Sequence, residues 1–218
     1  MKKILVCALF AALAMPALAG IDSGIDEGMT HLFITGGAAM PITEYSSEFT
    51  SAGRSIDYGD SGMSYGAQII NYPAKHLGLG LEFNGTNYGS QSNSFTVSGA
   101  QDKYTTSADR YSFFAAAKIV ANPDDKTRFY IPLGAGFSRF KASIKEVYAP
   151  DGIDDTYKPS CTKPAFYAGF GVESDLNDIF LFGFEARYNG FWIDKDKFSQ
   201  NDSYLDDASL LLKFGIKF

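Results

Sequence analysis

The last ten residues of the chain, "SLLLKFGIKF" (residues 209–218), carry a large apolar side chain at every second position. These positions are Leu210, Leu212, Phe214, Ile216 and Phe218. Successive side chains of a β-strand point to opposite faces of its sheet, so this spacing predicts a strand with one apolar face. Chain ends are usually polar and poorly ordered. The segment is therefore predicted to be the final strand of a larger sheet whose apolar face is covered.

The same two-residue alternation recurs along the chain. It is clearest in "LGLGLEFNG" (residues 77–85), where leucine and phenylalanine alternate with glycine and polar residues. Comparable segments predict strands over 31–40, 63–69, 77–84, 110–119, 129–138, 166–173, 180–189 and 209–218. The stretch "FFAAAKIV" continues the alternation, although alanine favours helices. With no amphipathic helix of useful length, the pattern predicts an all-β protein of eight strands.

The connections between these strands alternate in length. Long ones cover 41–62, 89–101, 143–162 and 190–203, and short ones cover 71–76, 121–127 and 174–178. The short connections hold the Asn, Asp and Pro residues of tight turns. In an antiparallel arrangement all long connections lie at one end. This plan predicts an up-and-down antiparallel transmembrane β-barrel with long extracellular loops and short periplasmic turns.

The non-apolar face of the strands decides what covers the apolar one. A soluble lipocalin-like carrier also alternates, with its apolar face turned inward around a ligand. Here the other face is rich in glycine and alanine, which suits the narrow lumen of eight strands better than a water-facing exterior. Lipid is therefore expected on the apolar face, and the lipocalin-like carrier stays as the alternative.

Charged residues on this glycine-rich face form a predicted lumen network: Glu82, Arg110, Lys118, Glu173, Glu185, Arg187 and Lys213. Buried charges need partners, so we expect ion pairs such as Glu185 or Glu173 with Arg110 or Arg187. The alternative is that each charge is hydrated near an end of a wetted lumen.

Residues near the strand ends predict contacts at the membrane surface. Aromatic residues suited to interfacial girdles are Tyr72, Tyr88, Tyr104, Tyr188, Trp192 and Tyr204. Lys103, Arg139 and Lys141 fall on the lipid-facing side at the extracellular ends of their strands. Cations there are placed to pair with the phosphates of lipopolysaccharide.

The start of the chain predicts export. Two lysines, an apolar run over residues 4–15 and a small-residue site ending at Ala19 are typical of a secretory signal peptide, residues 1–19. Residues 20–28 are then a short periplasmic lead-in and residues 29–218 the barrel. The net charge of −6 becomes more negative when Lys2 and Lys3 are removed, which disfavours a nucleic-acid partner. Cys161, in the third long connection, has no second cysteine in the mature chain to pair with.

In these features the chain resembles the small outer-membrane β-barrel family that includes OmpA-type transmembrane domains, OmpX and Ail-like surface proteins. The resemblance covers nearly all of the mature chain and is architectural. It implies that the final strand, with Leu210, Leu212, Phe214, Ile216 and Phe218, is the signal read by the barrel-assembly machinery. It also implies residence in the cell outer membrane among lipid and lipopolysaccharide.

The sequence offers little support for chemistry. Lipid A-modifying barrels need a histidine and a serine near the outer leaflet. His31, at the start of the first strand, and His76, in a short turn, are both expected at the periplasmic end as interfacial or solvated residues. We therefore expect no catalysis, no cofactor and no metal site.

The expected protein is a monomer with a structural or surface-interaction role, adhesin-like or supporting envelope integrity. Long loops rich in tyrosine and small polar residues are suited to bind a host or surface ligand. A small pore and a lipid A-modifying enzyme are the remaining alternatives, and eight strands leave little room for an aqueous channel.

Overall fold

The computed structural model describes residues 24–42, 46–47, 56–57, 61–97, 100–147, 154–194, 198 and 204–218. The signal peptide predicted for residues 1–19 and the first residues of the predicted lead-in lie outside these ranges. The strands are β1 Thr30–Pro41, β2 Ser46–Ser47, β3 Ile56–Asp57, β4 Gly62–Ala74, β5 Leu77–Val97, β6 Ala100–Val120, β7 Thr127–Val147, β8 Asp154–Tyr157, β9 Ser160–Asp175, β10 Phe180–Trp192 and β11 Tyr204–Lys217. The described residues contain no helix with the length and hydropathy needed to cross a bilayer.

Eight of these strands form a closed antiparallel barrel. They follow the order β6-β5-β4-β1-β11-β10-β9-β7, and an additional pairing between β6 and β7 closes the ring. Strand β8 pairs with the outer end of β7, while β2 and β3 form a separate two-residue hairpin in the first long connection. The predicted all-β, eight-stranded, up-and-down barrel is confirmed.

The outer surface of the barrel is apolar and its interior is polar. Ile34, Met63, Phe113, Phe137 and Phe170 are each 57–74% exposed on the outside. A lipocalin-like carrier would turn these side chains inward, so that alternative is wrong. Because the ring is closed, each barrel strand is paired along both edges, and no unpaired edge faces lipid, which could not hydrogen-bond it. Lipid covers the apolar exterior.

The C-terminal strand joins the two ends of the barrel. β11 lies between β10 and β1, with the register pairs Phe180–Ile216 and Leu32–Ile216. The Phe214 ring stacks on Phe180 on the outer face, with 5.8 Å between ring centres. The alternating apolar residues of this strand all face outward, as their spacing predicts.

In the second and third long connections, strands of the barrel continue well into segments expected to be loops. β5 runs to Val97 and β6 starts at Ala100, so most of 89–101 is a paired hairpin. In the third connection β7 extends to Val147, and β8 and the start of β9 follow. Outside hydrocarbon a strand can carry polar side chains on both faces, so the apolar alternation that defines the membrane strands is lost while pairing continues.

Three predicted girdle residues face the interior. Tyr72, Tyr88 and Tyr104 are buried inside the barrel, whereas Trp192 is 41% exposed on the outside. Side-chain direction follows the position within the strand, and nearness to a strand end does not change it. On the outside, Trp192 packs with Phe166 and Tyr204, and Phe166 also packs with Tyr188. Tyr188 and Tyr204 are joined by a 2.7 Å hydrogen bond between hydroxyls.

Candidate functional site

Charged side chains fill the barrel interior in three tiers. Among the described residues, six basic and five acidic side chains are buried there: Arg110, Lys118, Arg128, Arg187, Lys213, Lys217, Glu82, Glu173, Asp175, Glu185 and Asp207. Seven of these are the lumen residues predicted from the sequence. Charges in so dry an environment must be paired and hydrogen-bonded.

The tier nearest the periplasm joins cations from three strands to two carboxylates on β9. Glu173 accepts a 2.6 Å hydrogen bond from Lys118 Nζ on β6. Asp175 accepts one of 2.8 Å from Lys217 Nζ on β11, and it also pairs with the Arg128 guanidinium from β7. The tier therefore ties four strands together at the base of the barrel.

The middle tier has an arginine between two carboxylates. Arg187 on β10 pairs with Glu185 on the same strand and with Glu82 on β5, across the barrel. Glu185 also accepts a 2.9 Å bond from Lys213 Nζ, and Glu82 accepts a 2.7 Å bond from Gln68 Nε2. Lys213 donates to Gln68 Oε1 at 2.8 Å, which closes a ring of polar contacts.

The outer tier is built around Arg110 on β6 and Asp207 on β11, which pair across the barrel. Asp207 accepts 2.7 Å bonds from the Tyr88 hydroxyl and from Asn189 Nδ2. Arg110 also donates to Thr86 Oγ1 at 3.2 Å. This charge pair is thus satisfied by neighbouring side chains.

Inward glycines make room for two tyrosines that support the middle tier. Tyr167 donates to Glu82 and Tyr130 donates to Glu185, both at 2.9 Å. A Cβ at Gly134 would overlap the Tyr167 ring, and one at Gly171 would overlap Tyr130. The glycine-rich interior face is therefore the complement of large side chains reaching across from other strands.

Apolar side chains close the interior towards the extracellular end. Phe198, from the fourth long connection, is fully buried and lies 5.2 Å from Phe140, ring centre to ring centre. Phe191 and Cys161 belong to the same buried cluster. Cys161 thus lies on β9 with its side chain facing the interior, whereas the sequence analysis expected it in a loop.

The observed ion pairs agree in part with those expected. Arg187 contacts Glu185, one of the predicted pairs. Arg110 pairs instead with Asp207, and Glu173 pairs with a lysine. These charges contact one another in buried tiers. They are therefore not hydrated one by one, as the alternative expected.

Four interior charges were missed from the sequence: Arg128, Asp175, Asp207 and Lys217. Each lies at an inward position of its strand, and all but Lys217 fall one or two residues outside the predicted strand limits. Continuing the alternation a short way past each apolar run would have found Arg128, Asp175 and Asp207, and Lys217 already occupies an inward position of the predicted last strand.

A groove on the outer face carries the second group of charges. It measures about 260 Å³, beside β6, β7 and the start of β9. Its lining includes Arg139, Lys141, Lys158, Asp109, Ser107, Ser143 and Ser160. Lys141 is opposite Asp109 in the strand register, and its Nζ lies 5.2 Å from the centre of the Tyr111 ring.

The three cations predicted for lipopolysaccharide do not all meet. Arg139 and Lys141 share the groove, whereas Lys103 is opposite Val147 on the outer hairpin. Lys103 is six residues beyond Asp109, or about 20 Å along the strand. Lys158 was missed because only the fold of the third connection brings it beside β7.

The histidines are not arranged for catalysis at the outer leaflet. His31 is fully buried in the interior, so the expectation of an interfacial or solvated residue is wrong for it. Odd-numbered positions of β1 face inward, which explains the burial. His76 lies in the turn before β5, with Nδ1 2.8 Å from the Val120 carbonyl oxygen. In the part of the chain that the structure describes, no group of three or more His, Cys, Asp or Glu could hold a metal ion.

An apolar exterior, a charged and tightly filled interior and an antiparallel ring of eight strands define an outer-membrane β-barrel protein.

No protein-family model matches the sequence, and no curated protein matches it. The structure is similar to that of Ail, the attachment invasion locus protein of Yersinia pestis, with 16% sequence identity and a TM-score of 0.52. The match covers 88% of this chain and 100% of Ail. The complex of Ail with the heparin analogue sucrose octasulfate matches at the same identity and coverage, with a TM-score of 0.51. The likeness concerns the fold.

Proposed function

We propose that this protein is a non-catalytic structural and surface-interaction component of the outer membrane, held in the outer leaflet by lipopolysaccharide phosphates. The observation that carries the proposal is the convergence of Arg139, Lys141 and Lys158 on one outward-facing groove. Cations beside phosphate oxygens form charge-assisted hydrogen bonds, which are stronger than neutral ones. Serine hydroxyls in the same groove add further donors.

The height of the groove supports a headgroup ligand. Phe113 and Phe137 are opposite each other on the lipid-facing side, and the pair Tyr111–Arg139 follows two residues further out. The groove therefore begins where the apolar band ends. A cation deeper in the band would cost about 2–4 kcal/mol, whereas at this boundary it meets headgroup phosphates.

The Ail complex adds support for the class of ligand. Ail has been crystallised with a heparin analogue, which is a densely sulfated saccharide. Lipopolysaccharide combines sugar and phosphate in a comparable way, and three cations in one groove suit such a molecule. Lys103, on the outer hairpin, is placed to meet charged groups further from the membrane.

The surface-interaction part of the role rests on the strands that continue beyond the groove. β5 and β6 remain paired from Ser90–Ser107 to Val97–Ala100, and β8 pairs alongside the outer end of β7. These paired segments are a stiffer contact surface than loops of equal length. We propose that they display the protein to surface ligands in an adhesin-like manner.

A triple variant, Arg139→Gln with Lys141→Gln and Lys158→Gln, tests the lipopolysaccharide contact. We expect the folded barrel to retain severalfold less lipopolysaccharide through purification and to lose its stabilisation by added lipopolysaccharide. The control is Lys75→Gln with Lys126→Gln, which removes two lysines from the periplasmic turns, and the double variant Arg139→Gln with Lys141→Gln is compared with it at equal charge. Equal lipopolysaccharide content in the triple variant and the control would contradict the proposal.

The non-catalytic part has its own test. Lipid A from cells with and without the protein is compared by mass spectrometry. We expect the same acyl and phosphate composition in both, and a new or missing group would point to an enzyme.

A further inference from the structure

The periplasmic mouth of the barrel is covered by residues 24–29, which precede β1. Ile25 is fully buried there, in an apolar cluster with Ile70, Tyr72, Ala116, Val120 and Tyr130. Burying such a side chain contributes roughly 1.5–3 kcal/mol relative to leaving it exposed. The sequence predicted only a short polar lead-in here, but the segment is docked against the barrel.

Backbone hydrogen bonds fix this segment to two different strand ends. Ile25 N–H donates to the Pro123 carbonyl at 2.8 Å, in the turn between β6 and β7. Gly28 N–H donates to Tyr72 O at 2.7 Å, and Tyr72 N–H donates to Met29 O at 2.9 Å. Gly28 has a φ of 87°, a left-handed conformation that favours glycine, so the chain can turn between these contacts.

Charges at the rim support the same docking. Lys75, in the turn after β4, donates a 2.7 Å hydrogen bond to Asp124 in the turn after β6. That bond raises the pKa of Lys75, and Asp26 and Glu27 of the docked segment raise it too. The segment thus brings negative charge to a basic side chain of the rim.

Directly inside this segment lie four buried polar atoms that have no hydrogen-bond partner among the described residues. They are His31 Nδ1, Tyr72 Oη, Arg128 Nε and Glu173 Oε1. His31 Nδ1 is 3.6 Å from Glu173 Oε1, and Arg128 Nε is 3.5 Å from the same oxygen. The Tyr72 ring lies 4.7 Å from the His31 ring, centre to centre, on the same side of the barrel interior. Buried polar atoms are nearly always hydrogen-bonded, so these four neighbouring residues call for a shared partner.

The hydrogen-bonding capacity of these atoms identifies that partner. Arg128 Nε and the Tyr72 hydroxyl are donors, and Glu173 Oε1 is an acceptor. His31 Nδ1 is an acceptor when the ring proton is on Nε2, which lies 3.3 Å from Met29 Sδ. Two donors and two acceptors are the complement of one water molecule, which accepts two hydrogen bonds and donates two.

We propose that His31, Tyr72, Arg128 and Glu173 together bind one buried water molecule, and that residues 24–29 form a lid that shuts this site off from the periplasm. The lid supplies Met29 to the outer side of the imidazole, so its closure fixes which ring nitrogen faces the water. This inference concerns the periplasmic end and is independent of the lipopolysaccharide groove.

Thiol labelling tests the lid. Ala116→Cys, in a Cys161→Ser background, places a reporter beside Ile25, and a charged membrane-impermeant thiol reagent is offered from the periplasmic side. We expect slow labelling with Ile25 or with Ile25→Val, and severalfold faster labelling with Ile25→Asp. Asp178→Asn, in the exposed turn before β10 and outside the lid, is the matched control and should change little.

Only heat-modifiable, folded protein is scored, and Ile25→Ser is a milder variant if Ile25→Asp fails to fold. Equal labelling rates for a folded polar variant and for Ile25→Val would overturn the lid.

A high-resolution crystal structure and the ¹⁵N spectrum of His31 test the water. We expect a density peak within hydrogen-bond distance of at least three of the four atoms, with the ring proton on Nε2. A direct hydrogen bond from a protonated Nδ1 to Glu173, without a peak between them, would overturn the site.

Discussion

Thr30 and Phe218 pair through their backbones at the periplasmic end of the seam between β1 and β11. Thr30 N–H donates to Phe218 O at 2.8 Å, and Phe218 N–H donates to Thr30 O at 3.0 Å. The first strand is thereby joined to the last residue of the chain, one position beyond the end of β11. The proposed assembly signal and the last pair of this seam therefore share a residue.

Removing Phe218 should impair assembly more than changing its side chain. Deletion removes both hydrogen bonds to Thr30 together with the terminal aromatic ring, whereas Phe218→Ala keeps the backbone and Phe218→Tyr keeps both. We expect the amount of heat-modifiable protein in the outer membrane to fall in the order Tyr, Ala, deletion. Equal amounts for the alanine variant and the deletion would show that the two backbone bonds do not matter for assembly.

The middle tier of charges should be costly to break from one side. Glu185→Gln leaves Lys213 and Arg187 with a weaker buried partner, and loss of one member of a buried pair typically costs about 3–5 kcal/mol. We expect a lower free energy of unfolding in urea from lipid vesicles. Asp178→Asn, in the exposed turn before β10, is the control.

A second change separates pairing from mere loss of charge. Adding Lys213→Met to Glu185→Gln removes the cation that was left without its carboxylate. The double variant should lose less stability than the sum of the two single variants. Additive losses would mean that the two side chains do not interact.

Gly134→Ala should destabilise the barrel because the new methyl group meets the Tyr167 ring. Overpacking of a filled core costs about 1–3 kcal/mol. Gly36→Ala is the matched control, since a Cβ there meets no atom within 4 Å. The free energies of unfolding of both variants are measured in urea in the same vesicles. Equal values would show that the Tyr167 ring shifts to accommodate the new methyl group at little cost.

Cys161 should react slowly with maleimide until the barrel unfolds. Its side chain is only 8% exposed and belongs to the apolar cluster under the extracellular end. Thr162→Cys in a Cys161→Ser background moves the thiol to the exposed neighbouring position and should label quickly. Fast labelling of Cys161 in unheated protein would contradict a tightly closed outer end.

The membrane strands were predictable because their constraint is local. In "LGLGLEFNG" (residues 77–85), lipid on one side and a narrow lumen on the other force apolar and small residues to alternate. Beyond Gly89 the outer face has left the hydrocarbon, and the exposed Ser90 and Ser92 replace apolar residues, so the alternation disappears although β5 continues to Val97. The residue pattern therefore predicts the membrane-spanning part of each strand, and it does not predict the part that continues beyond the hydrocarbon.

The sequence predicted seven of the eleven interior charges among the described residues, but only one of their ion pairs, Arg187–Glu185. The inward position of Arg110 follows from its strand alone, whereas its partner Asp207 is on β11, which lies across the closed ring. Which strands face each other depends on closure, tilt and register, and these are properties of the whole sheet. The lid was not predicted, for a similar reason. Ile25 in "GIDSGIDEG" is buried only because residues of β4, β6 and β7 come together around it in the fold.

The alternation of faces also governs which changes in chain length the gene can accept. Losing one codon early in β10 would reverse the faces of all later residues of the strand. Glu185 and Arg187 would then point into hydrocarbon, and phenylalanine side chains would point into the lumen. Losing two codons would preserve the faces and only shorten the strand. Length variation among descendants of this gene should therefore collect in the outer connections, and within the membrane strands it should come in pairs of residues.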